Sequence, residues 1–383
     1  MQTVAMSWLV YRLTGSVVLL GTVAFLTQIP TLFFTPFSGA IADKYNKRKL
    51  LMLSQSLYML QATLLAILTL THLIQPWQIL ILSLFSGFIN ALDMPVRQSF
   101  YSTLVPPELM SNAVALNSSI MNGSRLIGPA IGGVLIKFIG EGGCFAINAI
   151  SFLFVLGALT KIVYSNTNQR TKQKPSIEIR EGYKYVKNHI PIRTILLTTT
   201  LFCFCAFSYT VFMPAYVKDT LLQDSSTLGI IMSAVGIGAL ASTFYLAARK
   251  TVLGLGKVVV LTISLASMAL MPVFFIKSLW LLLPLSVCAG FGITCSLASI
   301  NTLLQTLTTD AMRGRVMAYY SMCFVGSSAV GSLFWSYLAK IISLPWCMVI
   351  CSAICLITAF TFEKYRPLIR LHSFPIYVEK KDY

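Results

Sequence analysis

Charge is scarce in this chain, and acid is the scarcer sign. Of 383 residues 11% are charged, with 12 Asp and Glu against 29 Lys and Arg. A soluble domain carries about 25% charged residues, so this shortage, with 56% hydrophobic residues and a mean hydropathy of +0.77, excludes an ordinary soluble protein. Histidine is rarer still. His72, His189 and His372 fall in loops or in the tail and form no ligand set, so a histidine-bound metal is not expected. Phosphate-binding motifs are missing as well. GLGK from Gly254 would need glycine at position 251 and Ser or Thr at 258, where the chain has Thr251 and Val258. GIGALA from Gly236 imitates a dinucleotide fingerprint but lies in an apolar run with no preceding strand. No convergent set of nucleophile, base and metal ligands is present, so neither an enzyme nor a cofactor is expected.

What the chain has is apolar length. A bilayer core about 30 Å thick needs roughly 20 apolar residues per helical span. Eleven runs qualify, near residues 17–42, 50–71, 77–96, 111–138, 144–164, 194–217, 226–248, 257–276, 279–301, 314–340 and 344–362. A twelfth is incomplete. MQTVAMSWLVY holds ten residues before Tyr11 and Arg12, too few to cross, and lacks the basic region and cleavage site of a signal peptide. It reads as the second half of a helix, which about 15 to 20 further residues ahead of Met1 would complete.

The net charge of +17 raises the question of nucleic acid, and its distribution answers it. If the segment around Asp43 is cytoplasmic and the spans alternate, the cytoplasmic side collects 23 of the 29 Lys and Arg, and the outer side holds Arg12, Lys137, Lys218, Lys277 and Lys340. This is the positive-inside bias of an inserted helical protein. The partner implied is membrane lipid, not nucleic acid. Eight of the nine cysteines lie inside spans and Cys144 at the edge of one, where they serve as small apolar residues. Cys347, Cys351 and Cys355 form an i, i+4, i+8 stripe, but no His or acid joins them to make a metal site.

The one long polar interruption divides the chain. Residues 1–164 form an N-terminal membrane bundle with its first helix incomplete, 165–192 a basic cytoplasmic linker, 193–362 a C-terminal bundle and 363–383 a cytoplasmic tail. The stretch from Glu181, EGYKYVKNH, reads either as a short interfacial helix with its bases on the lipid surface or as a solvated linker. A gapless shift of 203 positions pairs Gly87 with Gly290, Ala115 with Ala318, Gly123 with Gly326, Gly128 with Gly331 and Lys137 with Lys340, among others. A six-plus-six duplication follows, as in many secondary transporters.

Between the second and third spans stands GAIADKYNKRK, Gly39 to Lys49, one acid followed by four bases. It resembles the loop between helices 2 and 3 of the major facilitator superfamily, with Asn46 where the family usually has glycine. Asn is the residue that most readily replaces glycine in a left-handed turn, so the tight turn is expected to survive. Gly39, one turn before Asp43, would let another helix approach closely. The resemblance implies a latch of Gly39, Asp43, Lys44, Asn46, Lys47 and Arg48 whose partner is the start of helix 11, DAMRGRVMAYY, with Arg313 and Arg315. Asp43 would then meet that helix's positive end.

NGSRLIGPAIGG in helix 5 resembles the antiporter motif of the same superfamily, carried by Gly123, Gly128, Pro129, Gly132 and Gly133. Pro129 removes a helical hydrogen bond, and Ser124, Gly128 and Gly132 make a smooth face. ALDMPVRQSFYSTLVPPELMSNAVALNS, between helices 4 and 5, resembles drug:proton antiporters of the macrolide-efflux and enterobactin-exporter type. The fold implied is an all-α membrane protein of two six-helix bundles related by pseudo-twofold symmetry. The function implied is proton-coupled export of drugs or siderophore-like small molecules by alternating access from the bacterial inner membrane, by a monomer. An importer on the same fold and an inactive remnant are the alternatives. For coupling, Asp93 is the best acid, four residues before Arg97, and reads equally as a structural ion pair with Arg97 or with the Asp43 loop. Arg125 is the one base deep in a span. It needs solvation or a partner there, such as Gln28, Asn122, Asn148, carbonyls freed at Pro129, cavity water or an anionic cargo.

Overall fold

A computed structural model describes residues 1–106, 109–162, 175–249 and 251–379; within them, the side chains of residues 35–37, 39–40, 42–43, 102–103, 110–112, 114–115, 118–119, 122, 175–180, 310–311 and 370–379 lie outside the description. The described residues form helices and no strand. These are α1 (Gln2–Thr14), α2 (Val17–Lys44), α3 (Lys47–Leu70), α4 (Pro76–Leu104), α5 (Met110–Lys161), α6 (Pro175–Asn188), α7 (Ile190–Ala206), α8 (Ser208–Ala215), α9 (Ser225–Ala247), α10 (Leu255–Val273), α11 (Leu279–Leu307), α12 (Asp310–Ile342) and α13 (Leu344–Glu379). A π-turn, Tyr216–Thr220, extends α8. Ten stretches are long and apolar enough to cross a bilayer.

Local chemistry explains the boundaries. Gly15 ends α1 in the left-handed conformation at φ 59°, and the Ser16 hydroxyl caps α2 by accepting from the Leu19 N–H at 3.3 Å. Gln75 and Gln78 cap α4 reciprocally ahead of Pro76 in its first turn. α5 is two arms joined at Gly140, whose φ of 70° and ψ of 176° break the helix between the fifth and sixth spans. Such backbone is open to glycine and strained for other residues. The first arm stays helical through Pro129. α13 continues past the apolar run ending near 362 as far as Glu379.

The chain resolves into two compact units. Unit 1 is Met1–Gln173 with Val217–Ile230, and unit 2 is Lys174–Tyr216 with Ile231–Tyr383. In unit 1, α2 packs on α4 and α3 on α5; in unit 2, α10 packs on α11 and α13, and α7 on α12 and α13. The paired glycines of the sequence repeat sit at matching crossings. A Cβ on Gly87 of α4 would lie 2.8 Å from the Leu26 carbonyl of α2, and one on Gly290 of α11 would lie 2.1 Å from the Val235 carbonyl of α9. Gly128 of α5 faces Met1 beside α1, while a Cβ on Gly331 of α12 would lie 2.0 Å from the Phe204 carbonyl of α7. Helix association in lipid depends on such close approach rather than on a hydrophobic driving force.

Candidate functional site

The antiporter-like stretch of α5 lies on a backbone-to-backbone seam inside unit 1. A Cβ on Gly133 would stand 2.6 Å from the Ser225 carbonyl and 2.8 Å from Gly229 Cα; a Cβ on Gly229 would stand 2.6 Å from the Pro129 carbonyl. The Ser225 hydroxyl donates to the Gly133 carbonyl at 3.1 Å. Gly132 turns toward Met1, and Gly123 faces open space. The seam is therefore made by Pro129 and Gly133 of α5 with Ser225 and Gly229 of α9. The last two were not anticipated, although Ser225 and Gly229 already stand one turn apart.

Beyond the seam a set of paired charges fastens the same segments, at the ends that the distribution of bases assigns to the outer side. Lys137 lies 2.9 Å from Asp224. Asp224 caps α9, accepting from the Ser226 hydroxyl and from the Ser226 and Thr227 N–H groups. The Ser226 hydroxyl first and then Lys137 hold its carboxyl down at about 2, so it is ionised at neutral pH. Tyr11 donates to Asp219, and the Lys218 ammonium lies 5.6 Å from the centroid of the Tyr11 ring. Arg12 grips the buried Glu141 with both arms, at 2.7 and 3.4 Å, directly after the Gly140 break. These residues are up to 208 positions apart, and no local pattern announces them.

At the inner end of unit 1, Asp93 is buried in α4. Its Oδ1 accepts from the Ser54 hydroxyl at 2.6 Å and the Gln55 amide at 2.7 Å, both from α3, and its Oδ2 meets Arg97 at 2.5 Å. An apolar cluster of Leu51, Val96, Phe100 and Leu159 packs alongside. Arg48 donates to the Thr160 carbonyl at 2.5 Å, tying the start of α3 to the end of α5.

Asn46 behaves otherwise than the glycine comparison implied. Its φ of −63° and ψ of 113° are extended, not left-handed, and its side chain caps α3 by accepting from the Lys49 N–H at 3.1 Å. The turn is made by two extended residues, Tyr45 and Asn46, and asparagine serves because it is among the best N-caps. Lys44 lies over the Tyr45 ring at 5.5 Å, and Lys47 opens α3. Gly39 and Asp43 fall in α2 with their side chains outside the described residues. In unit 2, Arg315 pairs with Glu181 of α6 at 2.6 Å, and Gly182 packs on Tyr319, so the linker segment is a helix docked on the start of α12. Arg313, half-buried, stands on the same turn.

Of the residues proposed around Arg125, Asn148 is engaged elsewhere. Arg125 is exposed on α5. The Asn148 amide is turned instead to Gln2, which in turn donates to Gln61 of α3 at 2.9 Å, a polar chain through unit 1. Gln28 folds back toward the Ala24 carbonyl of its own helix at 3.4 Å, and the Asn122 side chain lies outside the described residues. Cys347, Cys351 and Cys355 are buried free thiols, and among the described residues no group of three or more His, Cys, Asp or Glu side chains is fit to hold a metal ion.

Comparison with known proteins places the chain among membrane transporters. A family model described as "transmembrane secretion effector" matches residues 1–372. The chain is 26% identical over 373 residues to the staphyloferrin A transporter of Staphylococcus aureus, covering 97% of this chain and 94% of that protein. It is 26% identical over 369 residues to the multi-drug resistance efflux pump PmrA homolog of Lactococcus lactis, covering 94% and 88%. Among solved structures, a bacterial homologue of the iron transporter ferroportin in an inward-facing state superposes with a TM-score of 0.71 at 17% identity, over 95% of each chain.

Proposed function

Because the chain belongs to the transmembrane secretion effector family of the major facilitator superfamily, multi-pass transporters of the bacterial plasma membrane, we propose that it is a proton-coupled exporter of drugs or siderophore-like small molecules, working by alternating access. The observation that carries this reading is the seam of Pro129 and Gly133 with Ser225 and Gly229. A contact in which no side chain fits also admits no water. An antiporter needs that tightness at its outer end, because any continuous water path would dissipate the proton gradient that drives it. The ion pairs Lys137–Asp224 and Arg12–Glu141 and the hydrogen bond from Tyr11 to Asp219 hold the same region with contacts that can be broken and remade. The names of two relatives, a transporter of staphyloferrin A and a multi-drug resistance efflux pump homolog, support such a cargo.

The assay uses everted membrane vesicles from cells that express the protein, energised by respiration so that their lumen becomes acidic. An exporter accumulates a fluorescent drug or a labelled siderophore inside them, and nigericin, which collapses the pH gradient, abolishes the accumulation. Accumulation in energised right-side-out vesicles instead would overturn export. Accumulation that survives nigericin would overturn proton coupling.

A further inference from the structure

The stretch GLGK failed as a nucleotide loop, yet its place in unit 2 gives it other work. Between α9 and α10, with α11 alongside, lies a cavity of about 150 Å³ lined by Leu246, Arg249, Thr251, Val252, Leu255 and Thr302. Arg249 is half-buried in its wall. Neutral groups aim it: one guanidinium nitrogen donates to the Tyr245 hydroxyl at 3.2 Å, another to the Leu253 carbonyl at 3.0 Å, and the plane lies over the Tyr245 ring at 5.9 Å. Its Nε is buried without a hydrogen-bond partner. Among the described residues no ion pair includes it.

The helix beside it makes this charge stranger. α10 begins after Gly254, which takes the left-handed conformation at φ 83° and brings no side-chain cap. A Cβ on Gly254 would lie 3.5 Å from the Arg249 guanidinium. The first turn of α10 holds no acid and includes Lys257. Arg366 of α13 runs past Gly256, with its own charge taken by Glu363 at 2.8 Å. The half-buried Arg249 and the exposed Lys257, neither in an ion pair among the described residues, thus stand at the positive end of a 19-residue helix, where the helix dipole favours anions. An anion there would be attracted by all three.

We infer that this cavity is an anion site for a phosphate group, with Arg249 as its principal ligand, Lys257 in support and the amino end of α10 behind them. A tetrahedral oxyanion suits the guanidinium fork. The other wall, Leu246, Val252 and Leu255, is apolar, and the positive-inside distribution sets this loop at the cytoplasmic membrane surface. Phosphate chemistry has two sources there, the headgroup of an anionic phospholipid and soluble inorganic phosphate. The inference does not depend on the direction of transport or on the coupling ion.

The test titrates the detergent-purified full chain with phosphatidylglycerol, phosphatidylcholine and inorganic phosphate, following thermal unfolding and lipid retention in native mass spectrometry. Phosphatidylglycerol should stabilise the protein and stay bound, while phosphatidylcholine does neither. Arg249→Gln should shift the phosphatidylglycerol midpoint about tenfold to weaker binding, with Arg249→Lys in between. Lys257→Gln should weaken it severalfold and carries the test if Arg249→Gln fails to fold. Lys187→Gln, on α6, should bind as wild type. Saturation by inorganic phosphate, with competition against the lipid and the same dependence on Arg249, would assign the site to soluble phosphate and support it equally. Wild-type midpoints in both Arg249→Gln and Lys257→Gln, or in Lys257→Gln alone if the other does not fold, would overturn the site.

Discussion

Gly133→Ala adds one methyl group at the tightest point of the α5–α9 seam. The new Cβ would sit 2.6 Å from the Ser225 carbonyl oxygen, 2.8 Å from Gly229 Cα and 3.0 Å from Gly229 N. All three atoms are backbone, so no rotamer change relieves the overlap. Ordinary contact between such atoms is about 3.5 Å, and the two segments must separate by roughly 0.9 Å. Overpacking of this kind costs about 1–3 kcal/mol, offset by about 1 kcal/mol gained when alanine replaces glycine within a helix. The Ser225 hydroxyl would also be drawn from the Gly133 carbonyl, now 3.1 Å away. A net loss of about 1–2 kcal/mol is expected. Gly123→Ala is the internal control, because its Cβ meets nothing within 4 Å, and it should be neutral or slightly stabilising. Both variants are made in the full chain and compared by thermal unfolding in detergent and by decay of a preset pH gradient in everted vesicles without cargo. Gly133→Ala should unfold earlier and leak protons faster than wild type, and Gly229→Ala, which meets the Pro129 carbonyl at 2.6 Å, should behave alike. If Gly133→Ala matches Gly123→Ala in both measurements, the seam neither holds the unit together nor seals it.

Asp93→Asn places a donor where Ser54, Gln55 and Arg97 all donate, and leaving these buried donors short of an acceptor costs about 1–3 kcal/mol. The expected result is less folded protein by fluorescence-detected gel filtration, whereas normal abundance with loss of pH-driven transport alone would make Asp93 the coupling acid. The Asp224 carboxyl is depressed to about 2 from an ordinary value of 3.8, so its contribution is complete above pH 4 and lost only as pH falls through 2. Since Asp224 and Lys137 are half-exposed, the pair contributes at most about 1 kcal/mol; the difference in melting temperature between wild type and Asp224→Asn should stay flat from pH 5 to 8, and a slope in that window would refute the assignment. Arg125→Gln should lose transport of an anionic cargo at unchanged membrane abundance while Arg125→Lys retains part of it, and equal transport by both would remove Arg125 from the cargo path.

Apolar length made the membrane helices legible, because a bilayer demands about 20 residues per span whatever the sequence detail. Even the gap between the fifth and sixth spans, residues 139–143, contains the Gly140 at which α5 turns. The repeat of Gly87 and Gly290 was visible for a physical reason too: both stand where helices cross too closely for a side chain, so the same residue type is required at both crossings. Asn46 shows the limit of reading by substitution. Asparagine in place of glycine was assigned a left-handed backbone, and the chain used its side chain as a helix cap instead. One residue type has two local uses, and only the backbone angles distinguish them.

What escaped the sequence is pairing at long range. Gly133 and Gly229 each look like one more small residue in an apolar helix, and their meaning appears only when the two are set against each other. The acids show the same thing. Glu141, Asp219 and Asp224 stand between apolar runs, where a sequence shows nothing of their partners. In the structure all three are engaged in the outer region of unit 1, by Arg12, Tyr11 and Lys137. Two ion pairs and a tyrosine–carboxylate hydrogen bond thus stand in one region, where a conformational change can break them together. Glu141 is buried against Arg12 directly after the Gly140 break, so replacing its carboxylate by an amide removes the charge that holds α1 to this bend. Glu141→Gln should therefore weaken pH-driven export while leaving exchange of labelled for unlabelled cargo intact, and equal loss of both would return Glu141 to a purely structural role.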